Sequence, residues 1–373
     1  MSSLLHVLNS PEKALKAFNA LGVPHRRIED WKYSDLRNAM DAEEIARLGK
    51  AGWVVEDAPK AAEIVDLSEH AVTLWLPDQF AELDAGPMVE AAAAFAANGL
   101  AIRVPAGMRA ETPVRLDLRN QGHARLFVLL EESAELTLVE TRDGTQSQNC
   151  AAQFVLSPGS KLTHVKMPVN GAQAVCIDTV VCAVAERAAY RGHFSGLGGK
   201  LSRTELRISL HGASAEARLS GVGVLDGTHA DVTTQIDHVV GDTHSTQLFK
   251  YVAGGRSRAV YQGRITVEEG ADGTDSRQTA KALLLDNQAE ADLKPELIIF
   301  ADDVKCAHGA AVGDLDADSL FYLRARGIPE AEARGMLMRA FLEDAVCEVE
   351  NDAIRAEVWK AVEAALVHAG EAA

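Results

Sequence analysis

Many short apolar segments separated by glycine-containing turns fill the middle of the chain, and this pattern restricts the fold more than any other feature. The segments are rich in Val, Leu, Ile and Thr and recur from about residue 100 to about residue 300, with no helical period between them. Regularly spaced short strands predict a β-sandwich, a β-barrel or a β-solenoid. The stretch is long for one sandwich, whereas a solenoid can grow by adding turns without enlarging its core. Because no clean repeat is visible, the residues alone leave these architectures open.

Both ends of the chain carry helical patterns instead. Capping residues, a proline at a first helical position and a terminal glycine mark several helix boundaries. The predicted helices lie at residues 10–22, 41–49, 87–98 and 316–327, from residue 329 onward, and around residues 358–366. The sequence therefore predicts three regions: a mostly helical N-terminal region at 1–99, a β core at 100–312 and a C-terminal helical region at 313–373.

The composition excludes several classes of function. The formal net charge of −17 opposes binding to nucleic acid or to an anionic membrane. No stretch approaches the length of a membrane helix, and the first residues lack the pattern of a secretory signal. The five cysteines are few, odd in number and widely spaced, which fits reduced thiols rather than a disulfide framework. We expect a cytoplasmic protein with neither nucleic-acid nor membrane partners.

The most distinctive candidate site is a cysteine and a histidine two residues apart, Cys306 and His308, where the β core meets the C-terminal helices. In an extended segment, residues i and i+2 face the same side. A thiolate beside an imidazole suits a soft metal such as the iron of an iron–sulfur cluster. Two ligands do not close a site, so a partner chain would have to complete it, or binding would be transient. The alternative is a small buried thiol beside a hydrogen-bonded histidine in a turn.

A second polar cluster combines His229 and Asp231 with Asp237, His238 and His244. Histidine and aspartate together can bind metals or transfer protons. However, His229 and His238 are nine residues apart, so a continuous strand would point them to opposite faces. We interpret the cluster as polar residues that line a β structure and satisfy one another.

The other cysteines and the glycine-rich segments suggest no self-contained active site. Cys176 and Cys182 are too far apart along a strand to share a metal, and we expect both in the core. The glycine-rich segments lack the phosphate-binding loop pattern, and no serine-hydrolase elbow, zinc-protease motif or Cys-x-x-Cys pair is present. The sequence therefore predicts a protein that is not an enzyme.

The residues around the Cys-x-His pair resemble the SufD/SufB family of iron–sulfur cluster assembly scaffolds. The resemblance extends over residues 227–342 and includes His229, Asp231 and Lys250. The N-terminal motif, which we define as residues 29–36 (EDWKYSDL), resembles an element of the SufD side of the family. The matching segments are residues 261–263 (YQG), 278–285 (QTAKALLL), 301–309 (ADDVKCAHG) and 320–328 (LFYLRARGI).

The resemblance implies a right-handed parallel β-helix core with helical ends. It implies a SufD-like scaffold in a SufBCD complex, in which the C-terminal helical region docks the SufC ATPase and the β-helix pairs with SufB. His308, with Cys306 beside it, corresponds to the family's cluster-forming position at the SufB interface. No cofactor is expected to bind stably, apart from a transient iron–sulfur cluster at that interface.

Three alternatives remain at this stage. The chain could be SufB-like and itself hold the nascent cluster, or it could form a structural β-helix homodimer in isolation. A polysaccharide-degrading β-helix enzyme is a third reading, but acidic residues are scattered and aromatic residues make up only 5% of the chain.

Overall fold

The computed structural model describes residues 11–67, 86–96, 99–142, 144–167 and 169–371. Six helices lie in this part of the chain: α1 (Pro11–Leu21), α2 (Ala42–Arg47), α3 (Pro87–Phe95), α4 (Ala317–Ala325), α5 (Glu330–Cys347) and α6 (Asp352–Glu371). Two short 3₁₀ turns, Glu29–Trp31 and Leu36–Asn38, lie between α1 and α2. The helix starts at Pro11, Asp41 and Asp316 are those that the capping patterns predict; Asp41 forms a complete capping box with Glu44.

Nineteen strands are described. The first two, β1 (Gly52–Asp57) and β2 (Glu63–Asp66), precede α3. The others are β3 (Gly99–Val104), β4 (Val114–Arg119), β5 (Gly122–Leu130), β6 (Glu135–Arg142), β7 (Gln148–Leu156), β8 (Lys161–Lys166), β9 (Val169–Asn170), β10 (Val175–Val184), β11 (Ala189–Gly198), β12 (Leu201–Leu210), β13 (Glu216–Asp226), β14 (His229–His238), β15 (His244–Gly254), β16 (Arg258–Val267), β17 (Asp275–Leu284), β18 (Glu290–Ile299) and β19 (Lys305–Gly313).

The strands form a β-helix, which confirms the predicted fold class. From β3 onward the chain alternates between two sheets, a nine-stranded sheet that ends at β18 and a ten-stranded sheet that ends at β19; the short β9 follows β8 in the same sheet. Each strand pairs in parallel with the equivalent strand of the next turn; Val180 of β10, for example, pairs with Leu206 of β12, which pairs with Thr234 of β14. At the N-terminal end β2 and β1 pair antiparallel with β3 and β4. The parallel stack therefore starts at an antiparallel edge and finishes at β18 and β19.

Alternating side chains of both sheets point into the β-helix and form its apolar core. Large buried members include Phe154, Tyr190, Phe249, Tyr251 and Tyr261. Because each strand has a period of two, the residues between them point outward. Those outward faces are covered on opposite sides of the molecule by the two helical regions, which gives four layers.

The N-terminal segments pack on the nine-stranded sheet. Phe18, Trp31 and Met88 belong to a cluster that includes Ile177 and Leu201, which point outward from that sheet. Helices α5 and α6 pack on the ten-stranded sheet through a cluster of buried apolar side chains, which includes Val222, Val224, Val252, Met338, Leu342, Val346, Val358 and Val362. In the described ranges, no helix is long and apolar enough to cross a membrane.

Candidate functional site

Cys306 and His308 lie on β19, the last strand of the ten-stranded sheet. Cys306 is in register with Ser276 of β17, and His308 is in register with Gln278. The segment is extended, so both side chains belong to the face that looks into the last turn of the β-helix. The structure therefore brings the two residues to the end of the β-helix, while their role as ligands stays a prediction.

The thiol of Cys306 is half-buried. It packs against a small apolar cluster at the end of the β-helix that includes Ile265, Val267 and Ala271. The pKa of Cys306 is raised, because partial burial disfavours the thiolate and the nearby Asp275 carboxylate adds to the effect. In the isolated chain at neutral pH this cysteine is therefore protonated, and a metal or a neighbouring cation would be needed to favour the thiolate.

His308 is exposed, together with most of β19. Across the described ranges, no group of three or more His, Cys, Asp or Glu side chains is arranged to hold a metal ion. The pair thus presents two soft or borderline ligands at an open surface. The pair alone could supply only two ligands to a metal.

Both residues stand at the top of columns of polar side chains inside the β-helix. Ser245 and Ser276 stack below Cys306, and Gln247 and Gln278 stack below His308. The Ser245 and Ser276 hydroxyls are 2.7 Å apart, and Nε2 of His238 lies 2.9 Å from the Ser245 hydroxyl. Neither column is visible in the sequence, because successive members are about one turn apart and only the strand register brings them together.

His229 and Asp231 of the second cluster point outward from β14, underneath the N-terminal motif. The Ser34 hydroxyl donates to the Asp231 carboxylate and lies 3.1 Å from Nε2 of His229. Arg203, fully buried, donates to Asp231 over 2.6 Å. Burial lowers the pKa of His229, so its ring is neutral at pH 7. These residues bind the N-terminal motif to the β-helix rather than holding a metal.

His238 points the opposite way, into the β-helix, as the odd spacing predicts. Its Nδ1 lies 2.7 Å from the Thr243 hydroxyl, and its Nε2 contacts Ser245. Burial, with a smaller contribution from His244, lowers the pKa of His238 to about 4. His229 and Asp231 are therefore separated from His238 by the sheet, and these three side chains are satisfied by hydrogen bonds.

The cysteines expected in the core are there. Cys176 and Cys182 are buried, as is Cys150, while Cys347 is exposed at the end of α5. Burial raises the pKa of Cys150 to about 12. These buried thiols are therefore poor nucleophiles and poor ligands in the folded chain.

A buried ionic network that the sequence analysis missed lies inside the β-helix. The Lys166 ammonium is 2.6 Å from Glu140 and 2.9 Å from Asp178. Arg142 pairs with Asp178 over 2.6 Å, and Nε2 of His164 lies 2.8 Å from Glu140. The acidic groups are balanced by cations, which fits a structural network rather than a substrate site.

Helix α4 stands apart from the rest of the C-terminal region. It contains no buried residue, and Phe321 and Tyr322 expose 74% and 56% of their surface. By contrast, α5 buries Met338 and Leu342 against the β-helix and α6. Adjacent aromatic side chains on an exposed helix are unusual for a surface without a partner and are typical of protein interfaces.

The chain is similar to proteins of the SUF iron–sulfur cluster assembly system. The model of the SUF system FeS cluster assembly SufBD core domain matches residues 115–341, more than half of the chain. The iron–sulfur cluster assembly protein SufD of Escherichia coli (strain K12) is 27% identical over 374 residues, covering 90% of this chain and 88% of that protein. A SufBD family protein of Synechocystis is 26% identical over 90% of this chain and 86% of its own length. The chloroplastic protein ABCI7 of Arabidopsis thaliana is 31% identical over 69% of this chain and 58% of its own length.

Proposed function

The chain belongs to the SufBD family of iron–sulfur cluster assembly proteins, and from this premise we propose that it is a SufD-like, non-catalytic scaffold subunit. In this role it pairs with a SufB paralogue through the C-terminal end of its β-helix and docks a SufC-type ABC ATPase through its C-terminal helical region. The iron–sulfur cluster is the cargo of the complex. His308 and Cys306 bind it transiently at the SufB interface, and no cofactor stays on the isolated chain.

The observation that carries this proposal is the open end of the β-helix, formed by β18 and β19. Among the described strands, each of these two pairs with a neighbour on one side only. The end also exposes apolar side chains, which are Ile298, Ile299, Phe300 and Val312. Unpaired strand edges beside apolar surface favour addition of another strand-rich chain. A second β-helix of the same family is the partner whose shape fits such an end.

Cys306 and His308 lie on the same open end, which explains why they form only part of a site. A partner that covers β18 and β19 would bring its own side chains next to them. The low water content of such an interface would strengthen binding of a charged metal species by these ligands. The incomplete pair and the uncovered end thus support one interpretation, a site shared between two chains.

The ATPase docks on the exposed helix α4 in this proposal. Its aromatic pair, Phe321 and Tyr322, supplies the buried contacts that anchor a protein interface. Helix α5 follows α4 directly and packs on the β-helix, so a movement of the docked ATPase would reach β13 and β15. ATP-driven closure of two ATPase subunits would then move the interface with SufB and expose the ligands.

The experiment that tests the proposal is co-expression with the SufC and SufB homologues of the same organism, followed by size-exclusion chromatography with light scattering. We expect one complex that contains all three chains. Phe321→Asp should release the ATPase, and Phe300→Asp should release SufB while the ATPase stays bound. Val367→Asp, at an exposed apolar residue of α6, is the matched control and should change nothing.

Elution of this chain alone, while SufB and SufC still assemble, would overturn the scaffold role. The ligand role has its own test. His308→Ala should lower the iron and sulfide content of the anaerobically purified complex without changing its composition, and normal content would exclude His308 as a ligand. A stable brown chromophore on the isolated chain after anaerobic reconstitution would instead support the SufB-like alternative.

A further inference from the structure

One buried side chain next to the candidate site lacks the hydrogen bonds that its burial demands. Gln278 of β17 is 1% exposed and points into the β-helix. Within the described part of the chain, neither Oε1 nor Nε2 makes a hydrogen bond of normal geometry. The amide does interact with the Tyr261 hydroxyl, which only slightly offsets the rise that burial causes in the pKa of Tyr261. A buried amide without partners is unfavourable, and such groups in native proteins usually have a functional reason.

The β-helix is shaped to hold this amide. Gly263 of β16 lies opposite Gln278, and a Cβ atom at that position would be 1.9 Å from Nε2 of Gln278. Any other residue at 263 would therefore displace the amide. Gly263 therefore leaves space for the Gln278 amide. In the isolated chain, the amide forms no hydrogen bond of normal geometry in this space.

The polar side chains of the neighbouring column form hydrogen bonds with one another. Below Cys306, the Ser276 hydroxyl is hydrogen-bonded to the Ser245 hydroxyl, which is hydrogen-bonded to His238. Below Gln278 itself, Oε1 of Gln247 accepts from the Thr234 and Tyr261 hydroxyls over 2.6 and 3.0 Å. Nε2 of Gln247 has no partner, but its Oε1 has two. At Gln278, directly below His308, both amide atoms lack a hydrogen bond of normal geometry.

We propose that Gln278 is a positioning residue for His308, and that its Oε1 accepts a hydrogen bond from one ring N–H of His308 when a partner covers the open end. The inference rests on the proposed role of His308. In-register residues of neighbouring parallel strands are about 4.8 Å apart, which a glutamine and a histidine side chain can bridge. The other ring nitrogen then points, unprotonated, towards the metal species.

The chemistry explains why an amide is useful here. Histidines that bind metals usually donate their second ring N–H to an oxygen acceptor, which fixes the tautomer and the ring orientation. A neutral carbonyl oxygen can be buried at the apolar end of the β-helix at a much smaller cost in free energy than a carboxylate. When the end is open, His308 remains exposed and the amide stays unpaired. When the end is covered, both groups are satisfied at once.

The test compares variants in the co-expressed complex with SufB and SufC, with iron and sulfide content per folded complex as the readout. Gln278→Met keeps the shape of the side chain and removes its polar atoms. It should lower cluster content about tenfold. In the isolated chain, its denaturation midpoint should be equal to or higher than that of the wild type, because no hydrogen bond of normal geometry is lost there. Gln278→Glu retains an acceptor oxygen. Its buried carboxyl group should lower stability, but the cluster content per folded complex should return to most of the wild-type value.

Gln247→Met is the matched control one turn below. It removes an amide that accepts two hydrogen bonds, so it should lower the denaturation midpoint and leave cluster content per folded complex unchanged. In the H308A background, Gln278→Met should cause no further loss, because the residue acts only through His308. A merely structural role would give the same loss in both backgrounds.

The outcomes separate this inference from the proposed function. If H308A lowers cluster content but Gln278→Met does not, His308 keeps its role and the positioning role of Gln278 is wrong. Equal losses in both backgrounds, or a Gln278→Glu variant as defective as Gln278→Met, would also overturn it. Normal content in H308A would remove the proposed ligand role itself.

Discussion

The guanidinium carbon of Arg203 lies 4.0 Å from the centre of the Trp31 ring, which joins the N-terminal motif to the middle of the β-helix. Both side chains are buried, and Arg203 also donates to the Asp30 carbonyl over 2.7 Å. Gln262 of β16 donates to the same carbonyl, and Lys294 of β18 pairs with Glu29. The N-terminal motif therefore attaches the N-terminal region to strands from β12 to β18, the last of which lies at the open end of the β-helix.

Arg203→Met should destabilise the chain strongly. It leaves Asp231 without its buried cation, and breaking a buried ion pair from one side costs about 3–5 kcal/mol in free energy of unfolding. Urea denaturation monitored by tryptophan fluorescence measures this loss. Arg218→Met, which breaks the exposed pair with Glu216, should cost at most about 1 kcal/mol. Equal effects of the two changes would mean that the Arg203 network contributes no more than a surface pair.

The network inside the β-helix should give a pH-dependent effect. Burial alone would raise the pKa of Glu140, but Lys166 and His164 more than offset it, so the pKa is well below the ordinary 4.5. Such a carboxylate stabilises the fold above its unfolded pKa and loses this contribution as the pH falls. In Lys166→Met the main cation is gone, burial dominates, and the pKa of Glu140 should rise instead.

Lys166→Met should therefore lower the free energy of unfolding by about 3–5 kcal/mol at pH 7. The difference from the wild type should become smaller as the pH falls to 5, because Glu140 becomes neutral in the variant. Urea denaturation at both pH values measures it. Lys161→Met, at the exposed start of the same strand, is the control and should stay within about 0.5 kcal/mol of the wild type. A deficit that is the same at both pH values would contradict this account of Glu140.

Buried histidines should make the fold sensitive to mild acid. The pKa of His193, beneath α5, is lowered to about 4 by burial, as is that of His238. Their ordinary value is 6.5, so the unfolded chain binds more protons between pH 6.5 and 4, and stability must fall as the pH falls through this range. At about 1.4 kcal/mol per tenfold change, the loss reaches the order of 3 kcal/mol for each histidine by pH 4.

His238→Gln should accordingly reduce the slope of unfolding free energy against pH between 6.5 and 4, whatever it does to stability at pH 7. Urea denaturation at half-unit pH intervals measures the slope. His211→Gln, at an exposed histidine of the neighbouring turn, is the matched control. A His238→Gln slope equal to that of the wild type would show that His238 binds its proton as readily in the folded chain as in the unfolded one.

Local signals predicted the elements of this fold better than their arrangement. Helix starts at Pro11, Asp41 and Asp316 depend on residues within one turn, and the sequence shows these directly. The repeat of the β-helix stayed hidden because its period drifts. Stacked partners are 26 residues apart from Val180 to Leu206 and 32 apart from Gly263 to Pro295. Only the family resemblance distinguished the β-helix from a sandwich or a barrel.

The candidate site divides in the same way. Cys306 and His308 are two residues apart, so their pairing is visible in the sequence. Gln278 is one turn away, and its importance comes from burial and from a missing hydrogen bond, which no sequence pattern records. Likewise, Ser34 meets Asp231 only because the N-terminal motif folds back over the outer face of a sheet, and Arg203 meets Asp231 through the register of β12 and β14.

Reactivity of the thiols connects the structure of the isolated chain to the proposed assembly. Cys347 is exposed, Cys306 is half-buried at the open end, and the other three cysteines are buried. With a thiol-specific reagent at pH 8, Cys347 should react fastest and Cys306 more slowly, while the buried cysteines should react only after unfolding.

Binding of SufB should suppress labelling of Cys306 and leave Cys347 reactive, because only Cys306 lies on the end that SufB covers. Mass spectrometry of tryptic peptides assigns each site, and Cys347→Ser removes the fast phase as a control. Undiminished labelling of Cys306 in the intact complex would mean that the partner binds elsewhere on the chain.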